Sequence, residues 1–338
     1  MDYFFCKFKR LIVSYNYLSI TKLINWFKLT VSYFLSIYGF QKNHPKFPYF
    51  ISVETTNFCN LHCPECPVGT KKNKTQRSGF DFTLYKKLID ELKPTLLHTI
   101  LYFQGEPLLH KQLTEFIQYA HLAKIYTSTS TNAQFLTEEI AKEIVISGLD
   151  KLIISVDGST QETYQSYRVG GNLQKTLEGI KEIVKWKKNL KSATPLVEIQ
   201  FLVLKTNEHQ MAEMKKLAKT LKVDRLTFKT AQLYDFEHGN ELMPTKSKYS
   251  RYKKVRSGNF VIKTQQANRC WRLWGGAVVN VRGEVLPCCF DKASEYSFGN
   301  IQGNSFSECW HNKKASDFRG RVLQNRKQFE ICRNCTSK

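Results

Sequence analysis

Between Pro48 and Gln232 the chain alternates between two patterns of apolar and polar positions. The runs "YFISVETT", "LLHTILYFQG", "AKIYTSTSTN", "KLIISVDG", "LVEIQFLVLK" and "RLTFKTAQ" are short and rich in β-branched and aromatic residues, so they read as strands. Between them "DFTLYKKLIDELK", "EEIAKEIVISG", "LQKTLEGIKEIVKWKK" and "HQMAEMKKLAKTL" repeat their apolar positions at helical spacing. Alternation of this kind predicts an α/β fold: a parallel sheet with crossover helices. Six strand–helix units fit an open, incomplete barrel, and the pattern alone also allows a doubly wound sheet. In both, catalytic groups belong at the C-terminal ends of the strands.

Residues 1–45 follow another pattern. Within "SITKLINWFKLTVSYFLSIYGF" the polar residues Thr21, Asn25, Lys28, Ser32 and Ser36 form a narrow stripe on an otherwise apolar helix. The uncharged stretch after Lys28 is shorter than the roughly 20 residues of a bilayer span. The helix is therefore expected to lay its apolar face on the main domain, with a peripheral membrane contact through residues 20–38 as the competing reading. Residues 46–233 are expected to form the core domain. Residues 234–264 are polar and turn-rich and read as a linker or lid. In residues 265–338, "AVVNVRGEVLPCCFD" predicts a hairpin turning at Arg282-Gly283, followed by one polar helix, "SECWHNKKASDFRGRVLQN", and "CRNC". So small a segment lacks apolar residues for its own core and needs a metal staple.

Charge and cysteine content sharpen this picture. The 51 Lys and Arg against 29 Asp and Glu leave a net charge of +22, which draws the protein toward something anionic. The ten cysteines cluster as C-x3-C-x2-C, C-x17-C and C-x2-C, unlike a disulfide framework. The N-terminus lacks the small-residue cleavage site of a signal peptide. Clustered thiols in such a chain predict metal or cluster ligands in a reducing, cytoplasmic compartment.

Cys59, Cys63 and Cys66 lie in the loop directly after the first strand, where an active site belongs. A structural zinc site takes four ligands, and His62 is available to complete one. Three thiolates on a cubane cluster instead leave one iron open to a substrate or cofactor. Spacing alone leaves both readings standing.

C-x3-C-x2-C after the first strand of a β/α domain resembles the radical S-adenosylmethionine superfamily, and further motifs follow in order. "FQGEPLL" resembles the family's Gly-Gly-Glu-Pro segment, with Gln104 replacing the first glycine and Gly105, Glu106 and Pro107 retained. "STSTNAQFL" resembles its fourth-strand Thr-Asn-Gly segment, with Asn132 retained and Ala133 in the glycine place. "ISVDGSTQETYQSYRVGG" places Ser155 and Arg168 where related peptide- and sulfatase-maturing enzymes contact S-adenosylmethionine, and Asp157 toward the substrate. In "QFLVLKTN" Phe201 is the expected adenine contact. Glu65 stands where the family usually has an aromatic residue. The resemblance implies a partial (β/α)6 TIM-like barrel with an N-terminal helical extension and a small C-terminal iron–sulfur domain. It also implies a [4Fe-4S] cluster on Cys59, Cys63 and Cys66, whose open iron S-adenosylmethionine chelates before its sulfonium is reductively cleaved to a 5′-deoxyadenosyl radical. A flavodoxin- or ferredoxin-type donor would supply the electron.

Cys270, Cys288, Cys332 and Cys335 resemble the SPASM auxiliary-cluster domain in its shorter, Twitch form, as in the butirosin-pathway aminocyclitol dehydrogenase. The resemblance implies one auxiliary [4Fe-4S] cluster with four thiolates; a zinc knot on the same four remains the alternative. Cys6, Cys289 and Cys309 read as small apolar residues. A closed auxiliary cluster suits net oxidation of an unreactive C–H bond. The expected substrate is a small, sugar-like, possibly anionic molecule; maturation of a peptide or protein is the alternative. The non-enzyme alternative, a metal-stapled nucleic-acid-binding protein, has no recognition motif in its favour.

Overall fold

The computed structural model describes residues 17–39, 47–70, 76–264 and 266–336, so Cys6 and the expectation made for it lie outside the described residues. After α1 (Ile20–Ile37) come β1 (Phe50–Val53), α2 (Phe82–Leu92), β2 (His98–Ile100), α3 (Leu113–Leu122) and β3 (Tyr126–Thr131). Then follow α4 (Glu138–Ile146), β4 (Lys151–Ser155), α5 (Gln161–Tyr167), α6 (Leu173–Asn189), β5 (Leu196–Val203), α7 (Met211–Thr220) and β6 (Arg225–Thr230). All six expected strands form. α3 and α5 lie outside the helical segments that the sequence pattern marks; α5 is polar except for its tyrosines.

The strands run in the order β1-β2-β3-β4-β5-β6. Those pairings whose register is resolved, β1–β2, β2–β3, β4–β5 and β5–β6, are parallel. A doubly wound sheet reverses its order at a switch point, so sequential order selects the partial barrel. The chain divides into two compact units, Met1–Asn57, Gln76–Ser128 and Gln266–Lys338 in the first, Phe58–Thr75 and Thr129–Gln265 in the second. The divide passes through β3 and again between Gln265 and Gln266.

In the first unit, α2 is capped by Asp81, whose carboxylate accepts the Leu84 N–H at 2.7 Å, and it buries Tyr85, Leu88, Ile89 and Leu92 at helical spacing. The C-terminal segment adds the hairpin foreseen at Arg282-Gly283. Its strands follow β7 (Tyr252–Lys254), β8 (Phe260–Ile262) and α8 (Trp271–Gly275), and are β9 (Gly276–Val279) and β10 (Glu284–Leu286). β9 pairs in parallel with β1, and β10 with β9 antiparallel, so the hairpin extends the same sheet. The single polar helix expected here is two helices. They break at Asn312, whose side chain caps the second by accepting the Ala315 N–H at 2.9 Å.

α1 overturns its expectation. Of its polar stripe Asn25, Ser32 and Ser36 face inward, buried with Lys22 beside Leu29 and Tyr33, while Thr21 and Lys28 are exposed. Lys22 Nζ donates to the Lys124 carbonyl at 2.5 Å and Asn25 Nδ2 to the Phe47 carbonyl at 3.0 Å. Tyr33 meets the rings of Trp271 and Trp274 edge-on at 5.1 and 5.4 Å. These partners reward burial of the polar face, and the apolar face is left outside.

In the second unit, α6 is capped by Asn172 and buries Leu173, Thr176, Ile180 and Ile183. The expected linker at 234–264 forms the antiparallel pair β7–β8, and Phe236, Leu242, Met243, Phe260 and Ile262 pack on a core that contains Cys63.

Candidate active site

The loop that follows β1 winds through short turns. Cys66 N–H donates to the Cys63 carbonyl at 3.1 Å and Thr70 N–H to the Cys66 carbonyl at 2.9 Å. Gly69 closes it: a Cβ there would stand 2.7 Å from the Cys63 backbone nitrogen and oxygen, so only glycine fits. Cys63 is buried, while Cys59 and Cys66 are partly open.

Three sequence-predicted residues converge on these thiols within the second unit. Asn132, buried at the end of β3, donates from Nδ2 to Asn60 Oδ1 at 2.9 Å and approaches Cys59 Sγ at 3.6 Å. Arg168, just past the end of α5, points Nη1 at Cys63 Sγ at 3.8 Å. Its Nε is ion-paired to Asp157 Oδ2 at 2.5 Å. Burial pushes the Cys63 thiol up, and the Arg168 guanidinium pulls it back toward the thiolate. Asp157 is fully buried, and its other oxygen accepts the Leu202 N–H at 2.6 Å. Both carboxylate oxygens are therefore engaged within the protein. Ser155 ends β4, buried, two residues before Asp157.

Phe201, the expected adenine contact, is fully buried in β5 and meets the Phe228 ring edge-on at 5.5 Å. Successive side chains of a strand point to opposite faces, and its neighbour Leu202 packs on the core that contains Leu61 and Cys63. Glu65, in the place of the usual aromatic residue, accepts the Tyr234 N–H at 2.8 Å and Asn240 Nδ2 at 3.0 Å. It ties the 234–240 stretch to the cysteine loop. No sequence signal foretold that link.

In the first unit, Gly105 has φ +71° and Glu106 is buried, with Oε1 accepting the Leu108 N–H at 3.1 Å at the head of the single turn Pro107–Leu109. Gln104 donates to the Lys292 carbonyl at 3.1 Å.

The four C-terminal cysteines also gather there. Cys332 and Cys335 are buried and Cys270 and Cys288 partly so. Burial pushes the thiols of Cys270, Cys288 and Cys332 up, Cys332 to about 11. Two cations that the sequence did not single out oppose this. Buried Arg326 donates from Nη2 to Cys335 Sγ at 3.3 Å, and Arg272 from Nη1 to Cys289 Sγ at 3.2 Å. Cys289 is half-buried against Phe103, Val278 and Leu286, and Cys309 is buried, as small apolar residues are.

Among the described residues no three His, Cys, Asp or Glu side chains gather around one point closely enough for a single ion. Thiols flanked by guanidinium groups fit anionic thiolate ligation at both sites.

Residues 53–218 match the Radical SAM superfamily, and residues 270–336 match SPASM, an iron-sulfur cluster-binding domain. The chain is 24% identical over 322 residues to the tungsten-containing aldehyde ferredoxin oxidoreductase cofactor-modifying protein of Pyrococcus furiosus, covering 85% of this chain and 87% of that one. It is 28% identical over 311 residues to the PqqA peptide cyclase of Bradyrhizobium diazoefficiens, covering 85% and 78%. Its fold is similar to that of Streptococcus suis SuiB bound to S-adenosylmethionine, with a TM-score of 0.64 at 13% identity, over 86% of this chain and 72% of that one.

Proposed function

From a chain that belongs to the radical SAM superfamily and carries a SPASM iron–sulfur domain, an enzyme with S-adenosylmethionine and iron–sulfur cofactors, we infer a radical oxidation of a peptide substrate. The likeness to a PqqA peptide cyclase over 85% of this chain carries the choice of peptide over the sugar-like molecule first expected. The non-enzyme alternative falls with the family assignment.

When bound, the cluster and S-adenosylmethionine supply a 5′-deoxyadenosyl radical that takes a hydrogen atom from the substrate. The chain's own residues hold and shield that chemistry. Cys59, Cys63 and Cys66 would hold the catalytic cluster, and Cys270, Cys288, Cys332 and Cys335 the auxiliary one. Arg168 offsets negative charge at Cys63 and presents a guanidinium suited to a carboxylate. Asp157 acts through Arg168: it fixes the fork and is a positioning residue rather than a catalytic one. Asn132 orients Asn60 and Cys59; by the resemblance Gly105 and Glu106 would receive the methionyl amino group and Ser155 would add a hydroxyl. The Glu65 tether holds the 234–240 stretch against the cysteine loop and excludes water. A surplus of 22 positive charges suits an acidic electron carrier of flavodoxin or ferredoxin type, in a reducing, cytoplasmic setting.

A second reading, oxidation of a small polyol, is favoured by the C-x17-C and C-x2-C spacing, which resembles that of an aminocyclitol dehydrogenase. Anaerobically reconstituted protein with dithionite and S-adenosylmethionine separates the two. Deuterated short peptides should pass label into 5′-deoxyadenosine, and deuterated aminocyclitols should not. Label from aminocyclitols alone would select the second reading, and zinc in place of iron with no nucleoside would refute both.

A further inference from the structure

α1 is built inside out. Along its 18 residues the side chains turned to the protein are Lys22, Asn25, Leu29, Ser32, Tyr33 and Ser36. Those turned outward are large and apolar: Ile20 is 77% exposed, Phe27 62%, Phe34 52% and Tyr38 71%, with Leu23, Ile24, Trp26, Val31 and Leu35 also exposed. Such a run far exceeds scattered surface hydrophobes and marks an interaction face. The buried partners fix the helix by its polar side, at the Lys124 and Phe47 carbonyls, so the apolar side cannot roll inward without stranding those groups.

Charge and chemistry indicate what covers it. Residues 1–40 contain Lys7, Lys9, Arg10, Lys22 and Lys28 against one acid, Asp2, and the whole chain carries +22. Exposed Lys28 sits within the apolar face, and exposed Lys124 lies where Lys22 anchors the helix, next to Leu122, which is 69% exposed. Lysines on long stems can reach up to a charged surface from an apolar face. Trp26 and Tyr38 are residue types that favour the lipid–water boundary. No helix among the described residues is long and apolar enough to cross a membrane. We propose that α1 docks this enzyme flat on an anionic phospholipid bilayer, with its apolar face among the acyl chains and Lys28 and Lys124 reaching the headgroups. The proposal is independent of the substrate reading.

The test is sedimentation of the reconstituted full chain with phosphatidylglycerol/phosphatidylcholine vesicles, compared with phosphatidylcholine alone and with added salt. The expected result is binding to the anionic vesicles that weakens with salt. In the double variant Ile24→Glu/Phe27→Glu binding should fall at least about tenfold, since each charge replaces an apolar contact. Both positions are exposed, so folding and 5′-deoxyadenosine formation should be unchanged, and the wild-type Trp26 emission should shift to the blue on binding. No vesicle binding by the wild type, or equal binding by the variant, would overturn the proposal. So would self-association that the variant abolishes without any lipid binding, which would make a second copy the occupant.

Discussion

The two thiol sites of this protein differ in what surrounds their sulfurs. The three-cysteine loop leaves Cys59 and Cys66 partly open, with an amide and a guanidinium, Asn132 and Arg168, aimed at the sulfurs. The four-cysteine site buries Cys332 and Cys335 against Arg326, a side chain 1% exposed. A site that must admit a visitor keeps polar groups at its mouth. The four-cysteine site also leaves Cys270 and Cys288 partly open, so the difference lies in the buried Arg326 that settles the charge beside Cys335.

The largest expected effect tests that division directly. Cys63→Ala should remove one cluster, taking iron from about eight to about four per chain, and abolish 5′-deoxyadenosine. Cys332→Ala should lower iron equally while nucleoside formation persists. If both variants lose nucleoside alike, the two sites do not have separate roles.

Next comes the buried pair beside the open site. Asp157→Asn leaves Arg168 inside without its counter-charge, a loss on the order of 3 kcal/mol in chemical denaturation. Arg168→Lys keeps the charge but not the fork, and should raise the apparent KM for S-adenosylmethionine more than it lowers kcat. An unchanged KM would leave Arg168 a structural role only.

Glu54 gives the unit of the closed site a pH dependence of its own. Its Oε2 accepts the Val281 N–H at 3.0 Å, and burial pushes its carboxyl from 4.5 up to about 7. Between those values the folded chain holds a proton that the unfolded chain releases, so stability should fall as pH rises from about 4.5 to about 7. The fall is on the order of 3 kcal/mol and should vanish in Glu54→Gln. Denaturant midpoints across that range supply the check.

Two smaller changes probe the open site. Glu65→Gln leaves one acceptor oxygen where two served, so one charge-assisted bond is lost and the other becomes neutral; this should cost about 1–2 kcal/mol and speed hydrogen exchange at the Tyr234 amide. Ala133 holds φ +59°, the left-handed conformation that glycine adopts without cost. Ala133→Gly should therefore stabilise by up to about 1 kcal/mol in thermal unfolding, and a loss would mean that the Ala methyl packs better than its strain suggests.

Local sequence determined much of this protein. Strand and helix periods follow from side-chain direction along the backbone, so the six core strands, the hairpin at Arg282-Gly283 and the cysteine clusters were legible. Asn132 and Arg168 were singled out by the family resemblance of their segments, and the structure sets both beside the cysteine loop. Tertiary structure decided what depends on distant partners. Phe201 and Leu202 are equally apolar, and only the tertiary structure shows that Leu202 packs on the core that contains Cys63. Glu65 gained its meaning from Tyr234 and Asn240, far away in sequence. The N-terminal helix was the sharpest case. Its periodicity revealed two faces, but which face turns inward depends on whether the body offers carbonyls or apolar side chains. Here Lys124 and Phe47 offered carbonyls, and the polar face went in.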